Sequence, residues 1–291
     1  MEPDFGRLFY VRQRYPELEI RSVRALDMYR KEHRVFAVNE TVVFRFPKNA
    51  DDVQALMLEK AILSRIHATL PLPVPHPLYS SSGTHKPGEV FVGYHYIQGV
   101  PLTPEKLGAV EDIRLRRRLA KQLGDFLCTL HAYPPEYIGV PLPLGERRAD
   151  WEGTYREARE KLFPQLNAEA QRRFGALFEE FLGDAALQDY KACLRHGKIV
   201  PYNILFNHES QIVSGVVDFR RAGVGDPAID LAGLLAYGEE FLDWASLMYR
   251  FSRETQRRAV FIHAVEPLRQ ALRGLCRGDA EAATRALQPY R

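Results

Sequence analysis

Cysteine is scarce in this chain. Cys128, Cys193 and Cys276 are the only three in 291 residues. They are odd in number and lack metal-ligand spacing, which speaks against a disulfide framework and fits reduced, buried thiols in a cytoplasmic protein. Long apolar runs are missing too. No stretch approaches the ~18 apolar residues of a membrane-crossing helix. The opening MEPDFGRLFYVRQRYPELEI mixes charges throughout and holds no apolar signal-peptide core. Nor is there an excess of one sign of charge: 40 basic against 37 acidic residues leave a net +3. With no basic tail or arginine-rich arm, nucleic acid is not an expected partner. Internal repeats and low-complexity tracts are also absent. What is there, 46% apolar and 26% charged residues, is the balance of a globular protein. The length suits one two-lobed domain or two domains with a sizeable core. A cytoplasmic monomer without membrane association is the expectation.

Residues 194–231, LRHGKIVPYNILFNHESQIVSGVVDFRRAGVGDPAIDL, carry the most information. His196 and Gly197 form a turn that leads to Asn203. A short apolar run (204–206), a polar turn (207–211) and a β-rich run (212–217) follow, and they read as a hairpin. Such a hairpin holds Asn203 before its first strand and Asp218 after its second, so that both can face one cleft. An Asn and an Asp so placed offer the hard oxygen ligands that suit Mg²⁺ carrying nucleotide phosphates.

The order of these residues resembles the aminoglycoside phosphotransferase family, with its choline-kinase and macrolide-kinase relatives. The pattern H-G-D-x-x-x-x-N-[IL]-L, then [IV]-D-[FW], then G-D-P-x-x-D-L is met by His196-Gly197, Asn203-Ile204-Leu205, Val217-Asp218-Phe219, Gly225-Asp226-Pro227 and Asp230-Leu231. The wider protein-kinase pattern has the same grammar. The resemblance implies an α+β, two-lobed protein-kinase-like fold. Residues 1–98 would form a small antiparallel-sheet lobe and residues 99–291 a larger, mainly helical one. It implies Mg²⁺ and ATP or GTP as cofactors, a small hydroxylated molecule as substrate, and O-phosphorylation as the reaction. Asn203 and Asp218 would hold the metal, and His196 would brace the loop. Arg45 would meet nucleotide phosphate, oriented by Glu59. Tyr96 and Ile97 would lie in the hinge whose backbone meets the base. His131, Asp226 and Asp230 take structural roles in this reading, Asp226 as a helix cap and Asp230 as a tie for the catalytic loop.

Two departures stand out. Lys198 occupies the position of the catalytic Asp, and residues 26–33 (LDMYRKEH) contain no glycine where the family places a glycine-bearing phosphate loop. Arg30 and Lys31 are the charges left there for a phosphate. An ammonium has three donors and no acceptor. It serves as a base only when neutral, and phosphates and carboxylates around it favour its charged form. Lys198 can instead pair with a γ-phosphate or with Asp218. Severely weakened or lost transfer is therefore expected. The alternatives are a non-catalytic nucleotide- or ligand-binding pseudokinase, or an active kinase of an unidentified small alcohol. Aminoglycosides are polycations that family sites meet with carboxylates. Here Lys198, Arg220 and Arg221 place positive charge at that mouth, while Glu239, Glu240 and Asp243 are candidate acids.

Elsewhere the periodicity predicts strands over 18–23, 34–38, 41–46 and 89–97, with a turn at Asn39-Glu40. It predicts helices over 51–70, 112–131, 151–163, 168–181, 231–237, 239–251, 253–273 and 280–287. Pro71, Pro73, Pro75 and Pro77 make an extended crossing.

Overall fold

The computed structural model describes residues 5–26, 33–83 and 86–291. Arg30, Lys31 and most of the glycine-free segment lie outside them.

The N-terminal lobe is a five-stranded antiparallel sheet: β1 (Val23–Ala25), β2 (His33–Val38), β3 (Val42–Pro47), β4 (Pro77–Ser80) and β5 (Val92–His95), in the order β1-β2-β3-β5-β4. The β2–β3 hairpin turns at Asn39 and Glu40, which both take positive φ (54° and 50°). That is the backbone sign that matches the strands' right-handed twist. One face of the sheet buries Phe36, Phe44, Phe46 and Phe91 against Leu8 and Val11; the two aliphatic residues come from α1 (Leu8–Arg14). The other face receives α2 (Ala50–Ile66), whose Val53, Leu56, Ile62, Leu63 and Ile66 are buried. Asn49 caps this helix by accepting from the Asp52 amide at 2.9 Å. The strand expected at 18–23 starts only at Val23. Before it, the Asn39 side chain takes the place of a ladder, with Oδ1 accepting from the Arg21 and Ser22 amides at 2.9 and 3.0 Å.

Beyond β6 (Val100–Pro101) the chain turns helical: α3 (Pro104–Gly108), α4 (Ile113–Ala132), α5 (Arg148–Lys161) and α6 (Ala168–Gly183). Four short strands follow, β7 (Cys193–Arg195), β8 (Ile204–Asn207), β9 (Ile212–Val216) and β10 (Gly223–Gly225). They form a β6-β8-β9 sheet and a β10-β7 pair. The chain closes with α7 (Ala228–Leu234), α8 (Glu239–Ser246), α9 (Arg253–Cys276) and α10 (Ala280–Leu287). Helix α8 is shorter than the expected 239–251 because its last turn tightens, the Leu247 amide reaching Trp244 O at 3.3 Å. Helix α7 starts earlier than expected because Asp226 accepts the Ala228 amide at 2.9 Å. Asp226 also holds the buried Arg258 of α9 through two bonds of 2.7 and 3.1 Å.

The large-lobe core is built on α4, which buries Leu119, Leu123, Phe126, Leu127 and Leu130. On its α8 side the helices approach so closely that a Cβ on Gly124 would stand 2.2 Å from Ala245 O. Gly124→Ala is therefore expected to destabilise the protein by about 1–3 kcal/mol through overpacking, read as a lower urea midpoint with an unchanged slope.

Candidate active site

Two backbone devices bring the functional side chains together. The first joins the ends of the β8–β9 hairpin: the Val217 amide donates to Asn203 O at 2.9 Å, which puts Asn203 and Asp218 side by side. The second pins the loop after β7. Asp230, fully buried on α7, accepts the His196 amide at 2.7 Å and the Gly197 amide at 2.8 Å. His131 Nε2 lies 3.1 Å from the same carboxylate, and its Nδ1 is 3.0 Å from the Tyr249 hydroxyl. Gly197 has φ 76°, and a Cβ there would meet Arg221 O at 2.1 Å, so only glycine fits. His196 spans the gap between loop and hairpin. Its Nδ1 accepts the Lys198 amide at 3.2 Å, which leaves Nε2 to carry the proton and donate to Val217 O at 3.1 Å. Burial lowers the His196 pKa, against the pull of Asp230 and Asp218, in keeping with a neutral imidazole.

Asp218 sits in the left-handed region (φ 73°, ψ 63°), a conformation Asp tolerates better than most residues. It is 2% exposed, and cations surround it. Lys198 Nζ lies 2.8 Å from Oδ2, Arg220 Nε 2.5 Å from Oδ1, and Arg220 Nη2 3.0 Å from Oδ2. Arg45 Nη2 stands 3.8 Å from Oδ1. Burial alone raises the Asp218 pKa. The hydrogen bond from Arg220 and the charges of Arg45, Arg220 and Lys198 overcome this and hold it well below the usual carboxylate range.

Arg45 on β3 meets Glu59 on α2 through Nη1 at 2.9 and 2.8 Å. Burial works against the Arg45 charge, and Glu59, Tyr94 and Asp218 together outweigh it, raising its pKa. Burial pushes the Glu59 carboxyl up despite Arg45. Yet each group bonded to Glu59 is a donor, including the Phe219 amide at 2.9 Å, and we treat the pair as ionic. Through that amide Glu59 links the small lobe to the residue beside Asp218. In the segment that follows β5, the Tyr96 amide donates to Thr41 O at 2.8 Å and the Tyr96 hydroxyl meets Arg24 Nη2 at 3.3 Å. Among the described residues the main chain of Ile97 makes no hydrogen bond.

Asn203 and Asp218 have the donor chemistry of a Mg²⁺ site, but both oxygens of Asp218 already accept from Lys198 and Arg220. Asn203 in turn donates Nδ2 to Lys198 O at 3.0 Å. As arranged, the pair does not fit a divalent cation unless both Lys198 and Arg220 withdraw. Among the described residues no group of three or more His, Cys, Asp or Glu side chains could hold a metal ion.

In front of Lys198 opens a cleft of about 850 Å³, walled by the 197–202 loop, α7, α9 and the start of α2. Glu239, Glu240 and Asp243 lie outside its lining. The residues that sequence reasoning overlooked are Arg269, Arg273 and Arg277, which face the cleft from α9 and its C-cap. Their signal was their four-residue spacing, which sets them on one helical stripe.

Fold and site together define a two-lobed, kinase-like protein. Residues 30–275 match the model of the phosphotransferase enzyme family, and the chain belongs to that family. It is 29% identical over 270 residues to viomycin phosphotransferase of Streptomyces vinaceus, covering 89% of this chain and 87% of that protein. Its fold superposes on wild-type aminoglycoside 2'-phosphotransferase-IIIa in complex with GDP, with a TM-score of 0.88, 24% identity, and coverage of 99% of this chain and 97% of the other. The apoenzyme of macrolide 2'-phosphotransferase from Brachybacterium faecium gives a TM-score of 0.76 at 20% identity, covering 99% of each chain.

The Asp230 network has a pH signature. Burial raises the Asp230 pKa, but the hydrogen bond from His131 and the pull of the neighbouring imidazoles and Arg195 bring it below the ordinary value. A depressed carboxylate contributes stability that is complete above its unfolded pKa of about 3.9. That contribution is lost as pH falls from there through the lower folded value. Asp230→Asn is expected to cost about 1–3 kcal/mol near neutral pH. In urea melts at a series of pH values the gap to the wild type should narrow only below that point.

Proposed function

We propose that this chain is a phosphotransferase-family protein in which metal-dependent phosphoryl transfer is suppressed, and which keeps a nucleotide cleft without efficient turnover. The observation that carries this reading is the Lys198–Asp218 ion pair of 2.8 Å. Phosphoryl transfer asks a protein to position its reactants and compensate charge, and to accept or orient the proton of the attacking hydroxyl. At the position that serves that proton, Lys198 presents a donor. The same ammonium lies on an oxygen that a divalent cation would need, so one residue removes the acceptor and, together with Arg220, blocks the metal. Loss of general-base help alone is worth about 10²–10⁴-fold.

The pseudokinase reading of nucleotide affinity without transfer is favoured by two further observations. The Arg45–Glu59 pair is assembled at 2.8 Å, the kind of pair with which kinases orient a cation toward nucleotide phosphate. Ile97 leaves its main chain available to a base edge. GDP in the neighbouring phosphotransferase complexes supports a purine nucleotide, ATP or GTP, as the ligand. The family relatives, viomycin phosphotransferase among them, support a small hydroxylated molecule of antibiotic type as the ancestral acceptor. In this reading the protein is a cytoplasmic monomer, divided near residue 99 where the sheet of the small lobe gives way to β6.

Calorimetric titration with ATP and GTP, with and without Mg²⁺, tests the reading. We expect wild-type binding that Mg²⁺ does not strengthen and nucleotide hydrolysis at background. In Lys198→Asp we expect Mg²⁺ to tighten binding and hydrolysis to rise at least about 10²-fold. Mg²⁺-dependent turnover by the wild type, or no gain in Lys198→Asp, would overturn it.

A further inference from the structure

The cleft in front of Lys198 has the wrong charge for the ligands seen in its structural neighbours. Kanamycin and gentamicin, present in two of those complexes, are polycations. The wall here is cationic. Its inner end carries Lys198, Arg220 and Arg221, α9 and its C-cap contribute Arg269, Arg273 and Arg277, and Arg173 also lines it. Three carboxylates line the same space: Asp52, Asp218 and Glu266. Asp218 is already covered by Lys198 and Arg220. Glu266 sits between Arg269, at 3.3 Å, and Arg273. Seven cations and three carboxylates line the cleft, and even with Glu146 pairing Arg269 from behind the wall positive charge is in excess.

This excess is held in place. Arg269 is fixed by Glu146 at 2.7 Å and lies over the Trp151 ring at 4.9 Å. Arg221 has no hydrogen bond or ion pair among the described residues; desolvation on the wall and the guanidiniums of Arg273, Arg269 and Arg277 all lower its pKa. Like charges gathered in one concavity repel one another. They raise the local concentration of counter-ions and favour an anionic ligand. Guanidiniums in particular recognise phosphate and carboxylate through paired N–H bonds.

We infer that this cleft binds a small molecule bearing phosphate or carboxylate groups, and that polycationic aminoglycosides are not its ligands. The inference rests on the reading of the cleft as the acceptor side of the family fold, but it needs neither nucleotide binding nor transfer. The α9 stripe and Arg221 would take the anionic groups, with Lys198 at the inner end.

The test is titration of the full chain, without nucleotide or metal, with inorganic pyrophosphate, citrate and kanamycin. We expect at least one of the two anions to bind, the one that binds more tightly identifying phosphate or carboxylate as the preferred group. Added salt should weaken that binding, and kanamycin should give no heat. In the variant Arg221→Gln/Arg273→Gln the anion affinity should fall at least about tenfold. Glu266 keeps Arg269 in that variant, and neither residue belongs to the nucleotide site. Kanamycin binding as tight as that of the anions, no binding of either anion, or unchanged affinity in the variant would each overturn the inference. If the double variant does not fold, hydrogen exchange of the wild type decides the matter. Slower exchange over residues 266–277 with pyrophosphate or citrate supports it, and unchanged exchange there overturns it. ATP or GTP binding measured separately leaves each of these results standing, so failure of the nucleotide reading and failure of this one are distinguishable.

Discussion

A carboxylate in an almost dry position governs this structure. Asp218 is 2% exposed and held on a left-handed residue, a place where an unpaired charge would be costly. Three cations answer it from three directions: Lys198 from the loop after β7, Arg220 from its own turn and Arg45 from the small lobe. Much else in the site follows from this arrangement. Glu59 fixes Arg45, and by taking the Phe219 amide it fixes the backbone next to Asp218. Ion pairing therefore joins the two lobes at the point where chemistry would occur.

The consequence for function comes from what surrounds the carboxylate. In a metal-using kinase the charge of such an Asp is reserved for Mg²⁺. Here protein cations meet it. A buried ion pair of this kind is weak evidence for stability, because desolvation offsets most of its attraction. Removing one partner, however, exposes the other to the full cost of an uncompensated buried charge. A single lysine can thus alter acidity, metal access and the electrostatics of the adjoining cleft together. The supporting frame is separate from this lysine. Asp230, His196 and the Val217–Asn203 bond shape the loop without any contribution from the Lys198 side chain.

The cleft extends the same theme outward. Its positive wall is continuous with the cations on Asp218, and α9 supplies most of the rest. Nothing in the net charge of +3 hints at this, because acids elsewhere on the chain balance the sum. Local charge follows from which helix faces which space, and composition averages that away.

The sequence by itself determined the order of the elements and the site's cast. The hairpin with Asn203 and Asp218 at its ends, the amphipathic helices, the proline crossing and the lysine five residues before Asn203 are local patterns, and local patterns survive in one dimension. Asp226 and Asp230 were legible as structural residues for the same reason: each acts on main-chain groups whose positions the motif specifies. Only the tertiary structure decided the partners. Whether Lys198 would reach a phosphate or Asp218 depends on a distance set by the β8–β9 hairpin and the loop after β7, and it fell to Asp218 at 2.8 Å. The side-chain cap by Asn39 that replaces strand over residues 21–22, the close α4–α8 approach at Gly124 and the Arg269–Arg273–Arg277 face of the cleft are likewise long-range outcomes. Packing between residues far apart in the chain chooses among contacts that local sequence leaves equally open.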